Sequence, residues 1–140
     1  MIQSSYPCLW FDGNAKEAAL FYCSIFENSK IISENDYVVR FLLNGKDFMG
    51  LNGGPYHTFN EAVSFVVECD TQEEIDYLWA KLLDGGKEKA CGWLTDKYGL
   101  CWQIVPSVLG KLMSNPEKAP KVVAALQQMV KFDIQKLLDA

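Results

Sequence analysis

The order of local signals along this chain occurs twice, and that repeat constrains the fold more than any other feature. The apolar run from Tyr6 through Pro7, Cys8, Leu9 and Trp10 to Phe11 reads as a short buried strand, broken by Asp12-Gly13. Asn14 with Glu17 three residues on resembles a capping box. Ala15, Ala18, Ala19, Tyr22 and Phe26 then recur at helical spacing, so residues 14–26 are expected to form an amphipathic helix. Three strands follow at 31–33, 37–43 and 46–51, the last two joined across Asn44-Gly45, the strongest short hairpin signal. The second half repeats this order. A β-rich run at 62–69 precedes Thr71 and Glu74, a second capping box. The helix it opens places Ile75, Leu78, Trp79, Leu82 and Leu83 on one face, and Gly85-Gly86 stops it. Strands near 87–90, 92–95 and 100–105 complete the unit, with Asp96 to Gly99 as the turn. The pattern βαβββ therefore occurs twice, at an offset of about 55 residues. It predicts an α+β fold of two sheets curling into a cup, with helices outside.

A tail without a counterpart follows. Ser107 is placed to cap a short helix to Met113, Asn115-Pro116 to end it and open another, and Asp133 to cap a last turn to Leu138. Val122, Val123, Leu126, Met129 and Val130 share one side, so the tail must pack on the body or on another subunit. With 140 residues the expectation is one domain: repeat 1 at about 5–54, repeat 2 at about 60–106 and a helical tail at 107–140.

Charge and cysteine usage narrow the classes of function. Net charge is −5 without a basic run, which argues against a nucleic-acid partner. No apolar run approaches the ~20 residues that span a bilayer, and residues 1–6 carry no signal-like pattern, so no membrane is expected and the cytoplasm is the default location. Cys8, Cys23, Cys69, Cys91 and Cys101 are scattered and odd in number, consistent with reduced, buried thiols rather than a disulfide frame or zinc cluster.

Several blocks carry a family resemblance. They are Leu9-Trp10-Phe11-Asp12-Gly13, Glu17-Ala18-Ala19 with Phe21-Tyr22, Leu51-Asn52-Gly53-Gly54-Pro55, Phe59-Asn60-Glu61-Ala62 and Ser64-Phe65-Val66-Val67. The clearest runs from Cys91-Gly92-Trp93-Leu94-Thr95-Asp96 through Lys97-Tyr98-Gly99-Leu100 to Trp102-Gln103-Ile104-Val105-Pro106. Together they resemble the PhnB-like branch of the glyoxalase/bleomycin-resistance (vicinal oxygen chelate) superfamily, often labelled 3-demethylubiquinone-9 3-methyltransferase. The resemblance implies a cup-shaped, glyoxalase-like fold. A methyltransferase of the common kind would need a glycine-rich strand-to-helix turn for S-adenosylmethionine. The only candidate, Gly50 to Gly54, is followed by Pro55 and no helical pattern, which makes that activity the least expected one.

Metal-dependent relatives hold a divalent ion with His and Glu from four strands, two per half. The resemblance places Pro7, Met49 or Gly50, Ser64 and Gln103 at those positions, a set of absent, soft or weak neutral donors. No family-type metal site, and no cofactor, is expected. By strand alternation, Leu9 and Phe11 would share the inner face with Pro7, and Met49 with Leu51; Ser64, Val66, Cys101, Gln103 and Val105 would complete it, while Trp102 and Ile104 pack beneath helices. Trp93 is expected to pair with Trp102. The leading expectation is a metal-free small-molecule binder using Leu9, Phe11, Met49, Leu51, Ser64, Val66, Cys101 and Gln103. The alternative is a metal-independent enzyme on a small carbonyl or aromatic compound, with His57, the sole histidine, or Cys101 moving the proton and Glu61 as the nearest orienting carboxylate. A divergent metal enzyme with other ligands stands third. The apolar tail and the habits of the family make a homodimer the expected assembly.

Overall fold

A computed structural model describes all 140 residues, and it divides the chain into two compact units, residues 1–59 and 60–140. The boundary falls where the repeat changes over.

In the first unit the order is β1 (Cys8–Phe11), α1 (Ala15–Ile25), β2 (Lys30–Glu34), β3 (Val38–Leu43) and β4 (Lys46–Asn52). The strands form one mixed sheet ordered β1-β4-β3-β2, in which β1 runs parallel to β4 and the other pairs are antiparallel. Asn44 and Gly45 both take positive φ, 51° and 77°, as a tight β3–β4 hairpin turn requires. Small residues on α1 let the helix lie close to the sheet: Ala15, Ala18 and Ala19 are fully buried, and a methyl added at Gly50 would sit 3.2 Å from the Ala15 side chain. Val39, Phe41, Leu43 and Phe48 fill the remaining space under the helix. The start of α1 departs from the sequence expectation. Asn14 makes no side-chain cap; instead the Ala15 amide donates to Oδ1 of Asn52 at the end of β4 (2.9 Å). The cap comes from across the sheet, which ties the helix start to the strand that carries Gly50.

The second unit repeats the plan with β5 (Ser64–Cys69), α2 (Gln72–Leu83), β6 (Lys87–Glu88), β7 (Trp93–Thr95) and β8 (Cys101–Pro106), ordered β5-β8-β7-β6 with β5 parallel to β8. The Thr71/Glu74 capping box forms as expected, and Gly85 takes φ 79° where α2 ends. Ile75, Leu78, Trp79 and Leu82 bury the inner side of α2, and Leu94, Trp102 and Ile104 are buried on the helix side of the sheet.

The tail contains α3 (Leu109–Met113), α4 (Ala119–Leu126) and α5 (Ile134–Leu138). It packs on its own unit through Leu112, Val122, Phe132 and Leu137, with Val105 of β8 against this cluster. Gln72 fastens it, its amide donating to the Phe132 carbonyl (2.9 Å) while its oxygen accepts from the Ile134 amide (2.8 Å). The amides of Cys91 and Gly92 donate to Met129 and Val130. Asp133 caps α5 through the Lys136 amide, as its sequence position indicated. Ser107 does not cap α3, because its hydroxyl is committed to Asp70 (2.6 Å). No helix is long and apolar enough to cross a membrane.

Candidate functional site

Each sheet has one face covered by its helix and one that is not, and the uncovered faces carry the candidate residues. Alternation along paired strands fixes which side chains share a face. In the first unit Cys8 pairs with Met49, Trp10 with Leu51, Arg40 with Met49 and Val38 with Leu51. Gly50 points at α1, so its neighbours Met49 and Leu51 point away from the helix, together with Cys8, Trp10, Val38 and Arg40. Leu9 and Phe11 therefore lie on the helix side, 5% and 4% exposed. This corrects the expectation that they share a face with Met49 and Leu51. Leu9 pairs with Gly50, the residue that α1 approaches most closely, so the buried side of β1 is the one under the helix.

A loop closes over Trp10. Its indole Nε1 donates to the Gly54 carbonyl (2.8 Å), and His57 sets its ring edge-on, centroids 4.6 Å apart. His57 is exposed and forms no hydrogen bond or ion pair, while the Glu61 carboxylate, expected as its nearest orienting group, is taken by Lys89. The same loop disposes of the glycine-rich segment as a cofactor cradle. A methyl at Gly53 would overlap the Trp10 ring at 2.3 Å, and one at Gly54 would touch the Tyr56 ring. These glycines make room for the protein's own aromatic rings, and a turn follows them where S-adenosylmethionine binding would need a helix start.

Arg40 had no place in the sequence reading, although its position gave a signal: it is the only arginine among thirteen basic residues, set inside the apolar run of β3. Its Nη1 donates to the Tyr6 hydroxyl (3.0 Å), and the guanidinium lies 3.9 Å from the Tyr6 ring centre.

In the second unit the face away from α2 holds Ser64, Val66, Cys101, Gln103 and Val105, as alternation indicated, with the tail cluster lying against Val105 and with Trp102 and Ile104 on the helix side. Trp93 pairs with Gln103 and Leu94 with Trp102, which corrects the expected Trp93–Trp102 pair; the register is offset by one residue, so Trp93 joins the uncovered face. The Gln103 amide donates to the Ser64 hydroxyl (2.8 Å). Val66 is 55% exposed. The Cys101 thiol is fully buried and its Sγ lies 3.5 Å from the Asn60 carbonyl; burial pushes its pKa up, so it is a neutral donor rather than a ready nucleophile.

The positions set against the relatives' metal ligands carry soft or weak donors here. Pro7 contributes only a backbone carbonyl, which accepts from the Met49 amide, and Met49 is a soft thioether. Gln103 and Ser64 are neutral donors joined by one hydrogen bond, and no three His, Cys, Asp or Glu side chains converge to hold a metal.

The five thiols give a direct check on this geometry. All are free; Cys69 and Cys101 are buried, Cys23 and Cys91 half-buried and Cys8 exposed, which corrects the expectation that all are buried. Burial, followed by the charges of Glu74 and Asp70, pushes Cys69 up to about 11. With the folded value above the ordinary 9.0, the stabilisation is full below that pH and is lost as pH rises toward 11. Labelling of the native protein followed by peptide mass mapping is expected to modify Cys8 first, and Cys69 and Cys101 only on global unfolding. Equal rates for Cys8 and Cys101 would show that the cover formed by Asn60 opens.

Comparison with known proteins supplies the family context. The family model described as 3-demethylubiquinone-9 3-methyltransferase matches residues 3–105. A PhnB protein from Bacillus cereus is 35% identical with a TM-score of 0.70, the match covering 75% of this chain and all of that one. Protein PA1353 from Pseudomonas aeruginosa, 19% identical (TM-score 0.61; 75% of this chain and 98% of that one), shares the fold. So does the fosfomycin resistance protein FosX from Listeria monocytogenes, solved with Mn(II), at 18% identity (TM-score 0.56; 81% and 98%). No curated protein sequence matches.

Proposed function

We propose, from the premise that this chain belongs to the 3-demethylubiquinone-9 3-methyltransferase family of PhnB-like proteins within the glyoxalase/bleomycin-resistance superfamily, that it is a metal-free binder of small molecules. The observation that supports this reading most is the chemistry of the uncovered faces. They present apolar side chains around a few polar groups: the Ser64–Gln103 pair, the Cys101 thiol, the Trp10 indole and the Arg40 guanidinium. A surface of that kind orients a ligand by shape and hydrogen bonds. No three His, Cys, Asp or Glu side chains converge there to hold a metal, and His57 lacks the orienting partner that a general base uses. The methyltransferase label finds no support in the glycine segment, whose open space is filled by Trp10 and Tyr56.

Two measurements on the full chain test the reading. Tag-free protein is exposed to nickel, manganese, iron and zinc, desalted and assayed by plasma mass spectrometry; well under one ion per chain is expected. A thermal-shift screen then compares aromatic acids, quinones, small carbonyl compounds and S-adenosylmethionine. A ligand present at 100 times its Kd adds about 2.7 kcal/mol, which raises Tm by roughly 6–12 °C. A stoichiometric ion, or stabilisation by S-adenosylmethionine alone, would overturn the proposal.

A further inference from the structure

We infer that the uncovered face of the first unit binds the carboxylate of an apolar, planar acid, with Arg40 as the anchor. This rests on the binding reading above and adds the class of ligand. Arg40 lies in one row with Met49 and Cys8, and the next row along the strands holds Val38, Leu51 and Trp10. A charged fork therefore stands beside an apolar platform about two strand spacings wide.

The fork itself is only partly used. Nη1 donates to the Tyr6 hydroxyl, and the guanidinium carbon lies 3.9 Å from the Tyr6 ring centre. Nη2 is 3.9 Å from Oδ1 of Asp47, beyond hydrogen-bond range, and Nε is buried with no acceptor. The edge formed by Nε and Nη2 is the one a carboxylate takes side-on, through two parallel N–H···O bonds. A buried donor left without a partner in an otherwise satisfied sheet calls for one, and a bound oxyanion supplies it. The Arg40 side chain as a whole keeps 32% of its surface exposed.

Residue choice points the same way. Twelve of the thirteen basic residues are lysine, and Lys30 faces this side from the edge strand opposite Leu42, yet the basic residue in the inner strand beside the apolar rows is the planar, always charged arginine that binds carboxylates two-pronged. Asp47, 56% exposed, is a weak competitor that water can take over. The second unit's candidate face has no counterpart, its central polar pair being the neutral Ser64 and Gln103.

A lone arginine makes the test direct, because it gives a single Nε–Hε signal in a proton–nitrogen correlation spectrum. Benzoate, benzamide and benzylamine serve as probes of one shape and three charges. Benzoate is expected to shift the Arg40 Nε–Hε and Trp10 indole signals at millimolar concentration, and the other two to leave Arg40 unmoved. Arg40→Lys should weaken benzoate about tenfold or more, the loss of a two-pronged charged hydrogen bond. Asp47→Asn, at an exposed position, should tighten it by up to about fivefold. A silent Arg40 signal, an equal response to benzamide, or unchanged benzoate affinity in both variants overturns the inference. Should benzoate and benzamide move the Trp10 indole alike while Arg40 stays silent, the acid assignment fails and the binding reading stands. An empty compound screen together with no benzoate response removes both.

Discussion

Asp96→Ala is expected to cost about 3–5 kcal/mol, a large share of the stability of a protein this size. Asp96 is the one charged or polar residue in the buried set, 3% exposed. Its Oδ1 accepts from the amides of Tyr98 (2.8 Å) and Leu100 (3.1 Å), and its Oδ2 from the Trp102 indole (2.9 Å). The backbone closes the same turn, with the Gly99 amide donating to the Asp96 carbonyl and the Asp96 amide to Leu100. Alanine would leave three donors without this acceptor, and each buried orphan costs about 1–3 kcal/mol, less than additively within one network. Asp96→Asn should be milder, about 1–2 kcal/mol: its oxygen can keep the two amides while its NH2 group meets the indole N–H, donor against donor. Urea unfolding of both variants gives the comparison. Asp96→Ala within about 1 kcal/mol of the parent protein would show that water replaces the carboxylate, contrary to this account. The consequence reaches the candidate face, since this turn sets the pairing of Thr95 with Cys101 and of Trp93 with Gln103.

How far the sequence could be read depended on whether the deciding contact was local. The Asn44-Gly45 hairpin and the Thr71/Glu74 capping box are short-range devices, and both form where expected. Gln103, the polar residue in an apolar strand, identified the uncovered face of β8 correctly, because alternation there is unambiguous. In β1 it is not. Cys8, Leu9, Trp10 and Phe11 are all apolar, so period-two reasoning has no phase to lock onto. The phase is set by parallel pairing with β4 and the approach of α1 to Gly50, contacts some 40 residues away in sequence. The Asn52 cap on α1 was hidden for the same reason. Trp93 shows the sensitivity of register: one position of slip moved a tryptophan from expected core to the candidate face. Arg40 was visible as a residue but not as a site. Its meaning lies in a buried Nε without an acceptor and a tyrosine stacked on it, and neither exists before the chain is folded.

Gly53→Ala is the substitution expected to damage the first unit's candidate face most while leaving the rest of the fold standing. The added methyl would lie 2.3–2.4 Å from three atoms of the Trp10 indole. That ring cannot yield cheaply. It is rigid, its Nε1 is bonded to the Gly54 carbonyl, and His57 packs on it edge-on. The indole must therefore leave its place, at a cost of about 1–3 kcal/mol for overpacking together with the lost hydrogen bond. Benzoate binding should weaken with it, because Trp10 and Leu51 form the row of the platform next to Arg40. Gly13→Ala serves as the control. It too places a methyl at a glycine, there at φ 81°, but meets nothing within 4 Å, so it should lose only the backbone preference, about 1 kcal/mol, and keep benzoate affinity. The cause can be isolated with Trp10→Leu, which removes the ring that is struck. If the clash is the mechanism, Gly53→Ala adds little in that background, and the two substitutions are strongly non-additive. If Gly53→Ala costs as much in the Trp10→Leu background as in the parent protein, the damage lies in the loop backbone instead, and Trp10 loses its role as a fixed wall of the site.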